Sequence, residues 1–294
     1  MKPARRGGSP MSFMSRSFGQ LGSTVLDDDR LAALAPSIFA GDKHESRSER
    51  YSYIPTAEIL AGMRAEGFEP TSAKQGHSRV PGKADFTKHM IRFRHRSNMD
   101  AKKEIGAVYP EVVIVNSHDG TSAYKVMAGL FRLVCLNGLL VSDRELSSVT
   151  VHHKGNVREQ VIEGSYRVLQ ESRHAVEVAE HWSGLTLTQD MQNTLAESAR
   201  VIRFGDESGE VSTPITADDL LRPRRRDDVG NDLWRTANRI QENVIRGGQS
   251  TWGRDANNRR RRVTTREVKG IDADVKINRA LWMLNERMAG LLSA

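Results

Sequence analysis

His118 and Asp119 lie together in the polar interval NSHDGTS (116–122), where an imidazole and a carboxylate could act as general acid and base. A metal site would need three or four ligands at compatible spacing, and no His-x-x-x-His or cysteine pair lies nearby. Asn, Asp and Gly are also the residues that shape tight turns between strands. We therefore interpret the pair as part of a turn capped by Asn116 and Asp119, with catalysis as the alternative.

A second group of chemically capable residues is basic and recurs at even spacing. Lys88, Arg92, Arg94 and Arg96 share one face of a β-strand, on which alternate residues lie about 6–7 Å apart. This interval suits the phosphates of an extended single strand, so the side chains are candidates to hold a nucleic-acid backbone. The alternative is the polar outer face of a half-buried sheet, which needs no ligand.

A third group lies in a segment that we interpret as a basic loop with one aromatic residue. Trp252 is followed by four consecutive arginines, Arg259, Arg260, Arg261 and Arg262. An indole that stacks on a base, beside cations that hold phosphate, is typical of single-strand binding. The alternative is a surface excursion whose tryptophan folds back into the core.

Other polar residues are weaker candidates for recognition. Arg224, Arg225 and Arg226 directly precede Asp227 and Asp228, which indicates charge pairing or helix capping at least as well as a ligand. We expect most of the polar residues around the following helix to face water; they are Asn231, Asn238, Gln241 and Asn243.

The positive charge of the chain is local. The net charge is +7, and residues 83–103 and 254–269 each carry seven Lys or Arg against two acids. Such concentration predicts a polyanionic partner, nucleic acid before a membrane surface, with a merely solvated surface as the alternative. The nucleic-acid interpretation requires both segments to meet on one surface without being neutralised by nearby acids.

Several classes of protein lack support in the sequence. No 18 apolar residues run together, the first residues have no apolar signal region, and the single cysteine, Cys135, has no partner for an internal disulfide. These features predict a cytoplasmic protein. No phosphate-binding loop, nucleophile elbow or dinucleotide fingerprint is present. We therefore expect no enzyme activity, no cofactor and no metal.

The elements that must position these residues indicate an α+β fold, with an antiparallel β-meander followed by a mainly helical C-terminal half. Apolar residues alternate on both sides of the NSHDGTS turn, which is typical of paired strands. After residue 155 the period becomes helical, and one long stripe predicts a helix of about seven turns. Its members are Val161, Ser165, Val168, Ser172, Ala175, Ala179 and Trp182.

We divide the chain into three regions. Residues 1–34 form a flexible lead, and residues 35–155 form a strand-rich region with one short helix. Residues 156–294 form a helical region with a basic loop near 247–268.

Seven sequence blocks carry a resemblance to a family of unknown function that phages and plasmids carry and that also occurs in bacterial prophages. They are APSIFA, YIPTAEILAGMRAEGFEP, FTKHMIRFR, NSHDGTSAYKV, FRLVCLNGLLV, NDLWRTANRIQENVIRGG and INRALWMLNERM. The resemblance covers about residues 35–292 and implies a protein of a mobile element, with no assigned catalytic residues. A strand meander with a basic face, followed by a long helix, is also similar to ring-forming single-strand annealing proteins.

The preferred hypothesis is a phage, prophage or plasmid protein that binds nucleic acid, single-stranded DNA above all, in recombination or replication. Lys88, Arg92, Arg94 and Arg96 would hold phosphates, and the loop with Trp252 and Arg259–Arg262 would close over the strand. One alternative is a protein-interaction or assembly module with no DNA role, and another is a metal-dependent hydrolase built around His118 and Asp119. Homo-oligomerisation stays open, because the long helix has an apolar stripe and a sheet leaves an edge.

Overall fold

The computed structural model describes residues 25–45, 53, 55–99, 108–132, 137–140, 149–151, 156–254 and 258–293. The predicted fold class is confirmed, since an antiparallel sheet in the N-terminal half precedes a helical C-terminal half. Residues 1–24 of the predicted lead and Cys135 lie outside the described residues.

The sheet is the predicted meander. Its strands are β1 (Phe68–Gln75), β2 (His89–His95), β3 (Val108–Asn116), β4 (Tyr124–Arg132), β5 (Asn137–Leu140) and β6 (Val149–Val151). Strands β1 to β4 pair in sequence order, each antiparallel to the next, and β5 and β6 pair with different parts of β4. The NSHDGTS interval connects β3 to β4, and its Gly120 adopts a φ of 72°, which a residue without Cβ tolerates best.

Seven α-helices are present in the described residues. They are α1 (Asp28–Leu34), α2 (Thr56–Ala65), α3 (Val157–Gly184), α4 (Gln189–Phe204), α5 (Ala217–Leu221), α6 (Leu233–Arg246) and α7 (Ile271–Leu292). Within the predicted lead, residues 28–34 thus form a helix. Asp232 caps α6 by accepting a hydrogen bond from the Arg235 amide at 2.8 Å, and the helix begins directly after it. No helix in the described part of the chain is long and apolar enough to cross a bilayer.

Helix α3 packs across β3 and β4 through the predicted stripe. All seven positions of that stripe are buried. The hydroxyls of Ser165 and Ser172 donate to the backbone carbonyls of Val161 and Leu169, so these two polar side chains are satisfied within the helix. Small residues at these positions let the helix lie close to the sheet.

Both faces of the sheet are covered. One face packs in the main core, where Ile91, Phe93 and Ile114 meet the residues of α3. The opposite face forms a second apolar cluster of Met90, Val113, Val115 and Met127, which Ile271 at the start of α7 completes. The interpretation of a half-buried sheet with a polar outer face is therefore wrong for this part of β2, β3 and β4.

The predicted basic loop contains regular structure. Strands β7 (Ser250–Arg254) and β8 (Arg260–Thr264) pair antiparallel as a two-stranded hairpin that is separate from the main sheet. The arginines that the sequence placed in a loop therefore have fixed orientations on a β-ribbon, with alternate residues on opposite faces.

Candidate nucleic-acid interface

The register of the β7–β8 hairpin collects an aromatic residue and three cations on one face. Trp252 pairs with Arg262, and Arg254 pairs with Arg260. Directly opposed residues of an antiparallel pair lie on the same face, and so do residues two positions apart along a strand. Trp252, Arg254, Arg260 and Arg262 therefore form one surface, which we call the hairpin face.

The opposite side of the hairpin contacts the body of the protein. A Cβ on Gly253 would lie 2.8 Å from Cγ of Pro214, so this glycine lets the ribbon approach Pro214 closely. Val263 lies on the same side of the ribbon as Gly253 and is partly buried. With that side held against the protein, the hairpin face is directed to solvent, and Trp252 is 58% exposed.

The hairpin face combines an accessible aromatic ring with positive charge. The Arg260 guanidinium lies 4.6 Å from the centre of the Trp252 ring, within the range of a cation–π contact. Arg254 donates to the carbonyl of Asn258, which helps to order the end of the ribbon. Among the described residues, no carboxylate forms an ion pair with Arg254, Arg260 or Arg262. All three arginines are exposed.

The structure thus brings together part of one predicted site. Trp252, Arg260 and Arg262 share a face, whereas Arg261 lies on the opposite face and Arg259 directly precedes β8; both of these arginines are exposed. Arg254 also lies on the hairpin face and was not among the predicted residues. The period-two alternation in STWGR and RRRVT was the signal that could have found it, because it places Arg254 with Trp252 on a strand.

The predicted row of cations on β2 is not a surface feature, and that expectation is wrong for Arg92 and Arg94. Their exposed fractions are 9% and 5%, and both pair with the buried Glu111 of β3. Arg92 Nη1 donates to one Glu111 oxygen at 2.8 Å, and Arg94 Nε donates to the other at 2.9 Å. The Arg94 guanidinium also stacks 3.8 Å from the centre of the Phe131 ring. These arginines neutralise an internal acid.

The other two cations of the predicted row also have acidic partners. Lys88 Nζ contacts both carboxylate oxygens of Asp272 at 2.7 Å, and Arg96 Nε donates to Glu69 at 2.8 Å. The nucleic-acid interpretation requires that nearby acids do not neutralise the basic segment 83–103. At these four residues the requirement is not met.

The Arg224–Arg226 cluster follows the charge-pairing interpretation. The Arg225 guanidinium bridges Asp228 and Glu242, both of which are buried, and Arg224 donates to the Asn243 side chain at 2.7 Å. These contacts tie the segment before α6 to the helix itself.

His118 belongs to a buried polar network centred on the Thr56 hydroxyl. Thr56 Oγ1 hydrogen bonds with His89 Nε2 at 3.0 Å, Tyr124 OH at 3.1 Å and His118 Nε2 at 3.2 Å, and it accepts from Asn116 Nδ2 at 3.1 Å. All five residues are buried. The network joins the start of α2 to the ends of β2, β3 and β4.

The electrostatics of this network favour a neutral His89. Burial, reinforced by the neighbouring His118 imidazole, lowers the pKa of His89 to about 3. Ser37 Oγ hydrogen bonds with the other ring nitrogen of His89 at 2.9 Å. Within the described residues, no group of three or more His, Cys, Asp or Glu is placed to hold a metal ion. The arrangement is suited to holding neighbouring elements together.

Asp119 shapes the turn, as predicted. Its carboxylate accepts from the Thr121 amide at 3.0 Å and from the Thr121 hydroxyl at 2.6 Å, and it pairs with Lys83 at 3.3 Å. Burial would raise the pKa of this carboxyl, but the hydrogen bonds from Thr121, Ser117 and Lys83 hold its pKa below the ordinary value. Asn116 was expected to cap the same turn, and its side chain instead donates to Thr56.

Comparison with known proteins identifies the family. Residues 43–282 match the model described as "Domain of unknown function (DUF932)". The chain is 45% identical over 263 residues to the UPF0380 protein YafZ of Escherichia coli K12, with 90% of this chain and 91% of YafZ covered. It is 44% identical over 263 residues to the UPF0380 protein YfjQ of the same organism, with the same coverage. No solved structure matches the chain. With most of its length matched by the family model and by these relatives, the chain belongs to the DUF932 family.

Proposed function

We propose that the protein binds nucleic acid, preferentially single-stranded DNA, through the hairpin face. The observation that carries this proposal is the exposed Trp252 ring surrounded by Arg254, Arg260 and Arg262 on a ribbon whose other side is packed against Pro214. An exposed indole offers a stacking surface to an unpaired base, and the flanking guanidinium groups hold the phosphates on either side.

Stacking favours single strands over duplexes on this face. In a duplex the bases already stack on each other, whereas an unpaired base can lie directly on an aromatic ring. Arg260 covers one side of the Trp252 ring at 4.6 Å, so a base would either replace this guanidinium or use the remaining exposed ring surface. Either mode changes the environment of Trp252.

The biological setting in this proposal is replication or recombination of a mobile element. It is supported by the resemblance of seven ordered blocks to a phage- and plasmid-borne family, and by the similarity in element order to single-strand annealing proteins. Annealing is directly measurable. We expect the protein to accelerate pairing of two complementary labelled single strands, and an unchanged annealing rate would contradict this role while leaving binding itself intact.

The test of binding is a salt titration with a labelled single strand, measured by fluorescence anisotropy. We expect the affinity to fall steeply with salt, with a slope of about −0.7 for each phosphate held. The double variant Arg260→Ala/Arg262→Ala should lower the magnitude of that slope by about 1.4, because two phosphate contacts are lost. Replacing Trp252 with Ala should cost about 1–3 kcal/mol of binding, with Phe restoring part of the loss.

The matched control is Arg173→Ala/Arg287→Ala, which removes the same charge from exposed positions on α3 and α7. If the control and hairpin variants weaken binding equally, the effect is one of net charge and the hairpin face is not the site. Trp182, Trp234 and Trp282 are buried, so a change in tryptophan fluorescence on binding would report on the exposed Trp252. A partner protein that binds equally well after nuclease treatment, with no affinity for oligonucleotides, would favour an assembly module instead.

A further inference from the structure

A cleft lined by two lysines and two aspartates lies where α7 meets the sheet. This cleft of about 420 Å³ opens between the segment after β1, the β3–β4 turn and the first residues of α7, and its lining includes Ser78, Lys83, Lys88, Asp119 and Asp272. Lys83 forms an ion pair with the buried Asp119 at 3.3 Å. Lys88 is committed to Asp272, and these two ion pairs balance the charge of the four groups.

The Lys88–Asp272 pair is asymmetric. The side chain of Lys88 is only 15% exposed, so its stem is fixed by packing, whereas the side chain of Asp272 is 76% exposed. An ion pair with such an exposed partner contributes about 0–1 kcal/mol and is screened by salt. The Asp272 carboxylate is therefore easily exchanged for another anion, and its departure would leave the cleft with a net positive charge.

The cleft is within reach of the hairpin face along the chain. Gly270, directly before α7, lies six positions after Thr264 at the end of β8, and this connection spans at most about 20 Å. The connection is also tied to the sheet, because Lys74 Nζ donates to the Val268 carbonyl at 2.8 Å and contacts Asp274 at 3.1 Å. A strand bound on the hairpin could extend over this distance within the roughly 4–16 nucleotides that a single-strand site commonly covers.

We infer that this cleft is a second phosphate subsite, in which the Asp272 carboxylate occupies the place of a backbone phosphate on Lys88. The inference rests on the proposal that the protein binds nucleic acid, and it adds Lys88, Lys83 and Asp272 to the binding surface. A phosphate of the bound strand displaces Asp272 and takes the contact with Lys88. Asp272 thereby competes with nucleic acid for the lysine and lowers the affinity of the intact chain.

The experiment measures binding of a labelled single strand of about 20 nucleotides, longer than most single-strand sites, at low salt. We expect Asp272→Asn to tighten binding about 2- to 5-fold, because an exposed ion pair no longer competes. Lys88→Ala should weaken binding and lower the magnitude of the salt slope by about 0.7, the value for one lost phosphate on a single strand. The double variant Lys88→Ala/Asp272→Asn should bind no more tightly than Lys88→Ala alone.

The control is Asp28→Asn. Asp28 is also exposed, lies in the first turn of a helix and pairs with an arginine, Arg64, so its replacement makes the same charge change at an equivalent kind of position. Equal tightening by Asp28→Asn and Asp272→Asn would overturn the inference, and so would a gain from Asp272→Asn that persists without Lys88. A thermal melt of each variant verifies that the fold is retained.

The outcomes separate this inference from the proposed function. If the Arg260/Arg262 variant loses binding but Asp272→Asn has no specific effect, the hairpin face is supported as the binding site and the cleft is rejected as a phosphate subsite. If Asp272→Asn acts through Lys88 but the hairpin variant binds normally, the cleft is supported as a phosphate subsite and the hairpin face is rejected as the binding site. If the wild-type chain shows no affinity for the strand at low salt, both are overturned.

Discussion

Glu111 is the residue that explains why two arginines of β2 are buried and do not lie at the surface. It is 1% exposed and accepts from Arg92 with one oxygen and from Arg94 with the other. A buried acid with two cationic partners is tolerated because each carboxylate oxygen has a charged donor. The three side chains form a cross-strand network between β2 and β3, and removal of its centre leaves two cations without their shared acid.

Replacing Glu111 with Gln should destabilise the protein strongly. Breaking a buried ion pair by removing one partner typically costs about 3–5 kcal/mol, since the remaining charge is desolvated without compensation. A urea titration followed by circular dichroism measures the change in the free energy of unfolding. Glu197→Gln is the control, because Glu197 pairs with Arg200 at the surface of α4 and should contribute about 0–1 kcal/mol. Similar costs for the two variants would contradict the role given to Glu111.

The sequence indicates which side chains of β2 share a face, but it does not indicate that this face is buried. The alternation of Ile91 and Phe93 against Arg92 and Arg94 correctly predicts which side chains share a side of the strand. Glu111, however, is 17 residues from Arg94, and only the strand register brings the two side chains together. An acid inside the otherwise apolar run YPEVVIV was the available signal, because an isolated carboxylate in a buried strand requires a cation.

The β7–β8 hairpin depends on Gly253 for its position. Any side chain at this residue would contact Pro214, and the nearest approach of an added Cβ is 2.8 Å to Cγ of that proline. A proline ring cannot rotate away as a flexible side chain can, so the ribbon itself must move. The orientation of the hairpin face is thus set from its reverse side.

Replacing Gly253 with Ala should lift the ribbon from the protein while the rest of the fold remains. We expect trypsin to cleave faster at Arg259–Arg262 in this variant, because a less tightly held strand pair opens more often. The affinity for single-stranded DNA should fall together with the protection from trypsin. Gly290→Ala on α7 is the control, since an added Cβ there meets no atom within 4 Å and should leave the cleavage rate unchanged. Equal protection in both variants would show that Gly253 does not hold the hairpin.

Helix α6 shows how tertiary contacts override a polar pattern. Asn238, Gln241 and Asn243 were expected to face water, and this expectation is wrong because all three are buried. Gln241 donates to the Asn278 side chain of α7 at 2.9 Å, and Asn243 donates to the Leu220 carbonyl of α5 at 2.8 Å. These partners are 37 and 23 residues away. A local pattern indicates that a polar residue needs hydrogen bonds, but it does not distinguish water from a distant element as their source.

For the molecule as a whole, His89 should make the stability depend on pH. Its pKa is about 3 in the folded protein and 6.5 in the unfolded chain, so below pH 6.5 the unfolded chain takes up a proton that the folded protein excludes. The stability contributed by neutral His89 is therefore fully present above pH 6.5 and is lost as the pH falls toward 3. The expected loss is about 1.4 kcal/mol per pH unit within this window.

Urea titrations between about pH 4.5 and 7 test this linkage, over the range where His is the main titrating side chain. His89→Gln should be less stable near neutral pH, because its network with Ser37 and Thr56 is altered, and should show a slope smaller by about one proton. His174→Gln is the control, since His174 is exposed on α3. An unchanged slope in His89→Gln would contradict the assignment of the effect to this residue.

The overall architecture was predictable because it depends on periodicities that a sequence displays. The alternation of the strands and the stripe from Val161 to Trp182 both appear in the structure as expected. The arrangement of charged sites was less predictable, because it depends on which acids the fold brings to each cation. Asp272 lies 184 residues from Lys88 and shows no sign of that contact in its local sequence.

Ile271 completes the apolar cluster on the second face of the sheet. Because it is translated late, this contact has a consequence for synthesis of the chain. Met90, Val113, Val115 and Met127 are translated long before the residue that completes their cluster. At about 5–20 residues per second, the roughly 140 residues between Met127 and Ile271 take about 7–28 s to emerge. A sheet that folds during that interval would expose this apolar cluster to water, and we expect such an intermediate to be prone to association until α7 emerges.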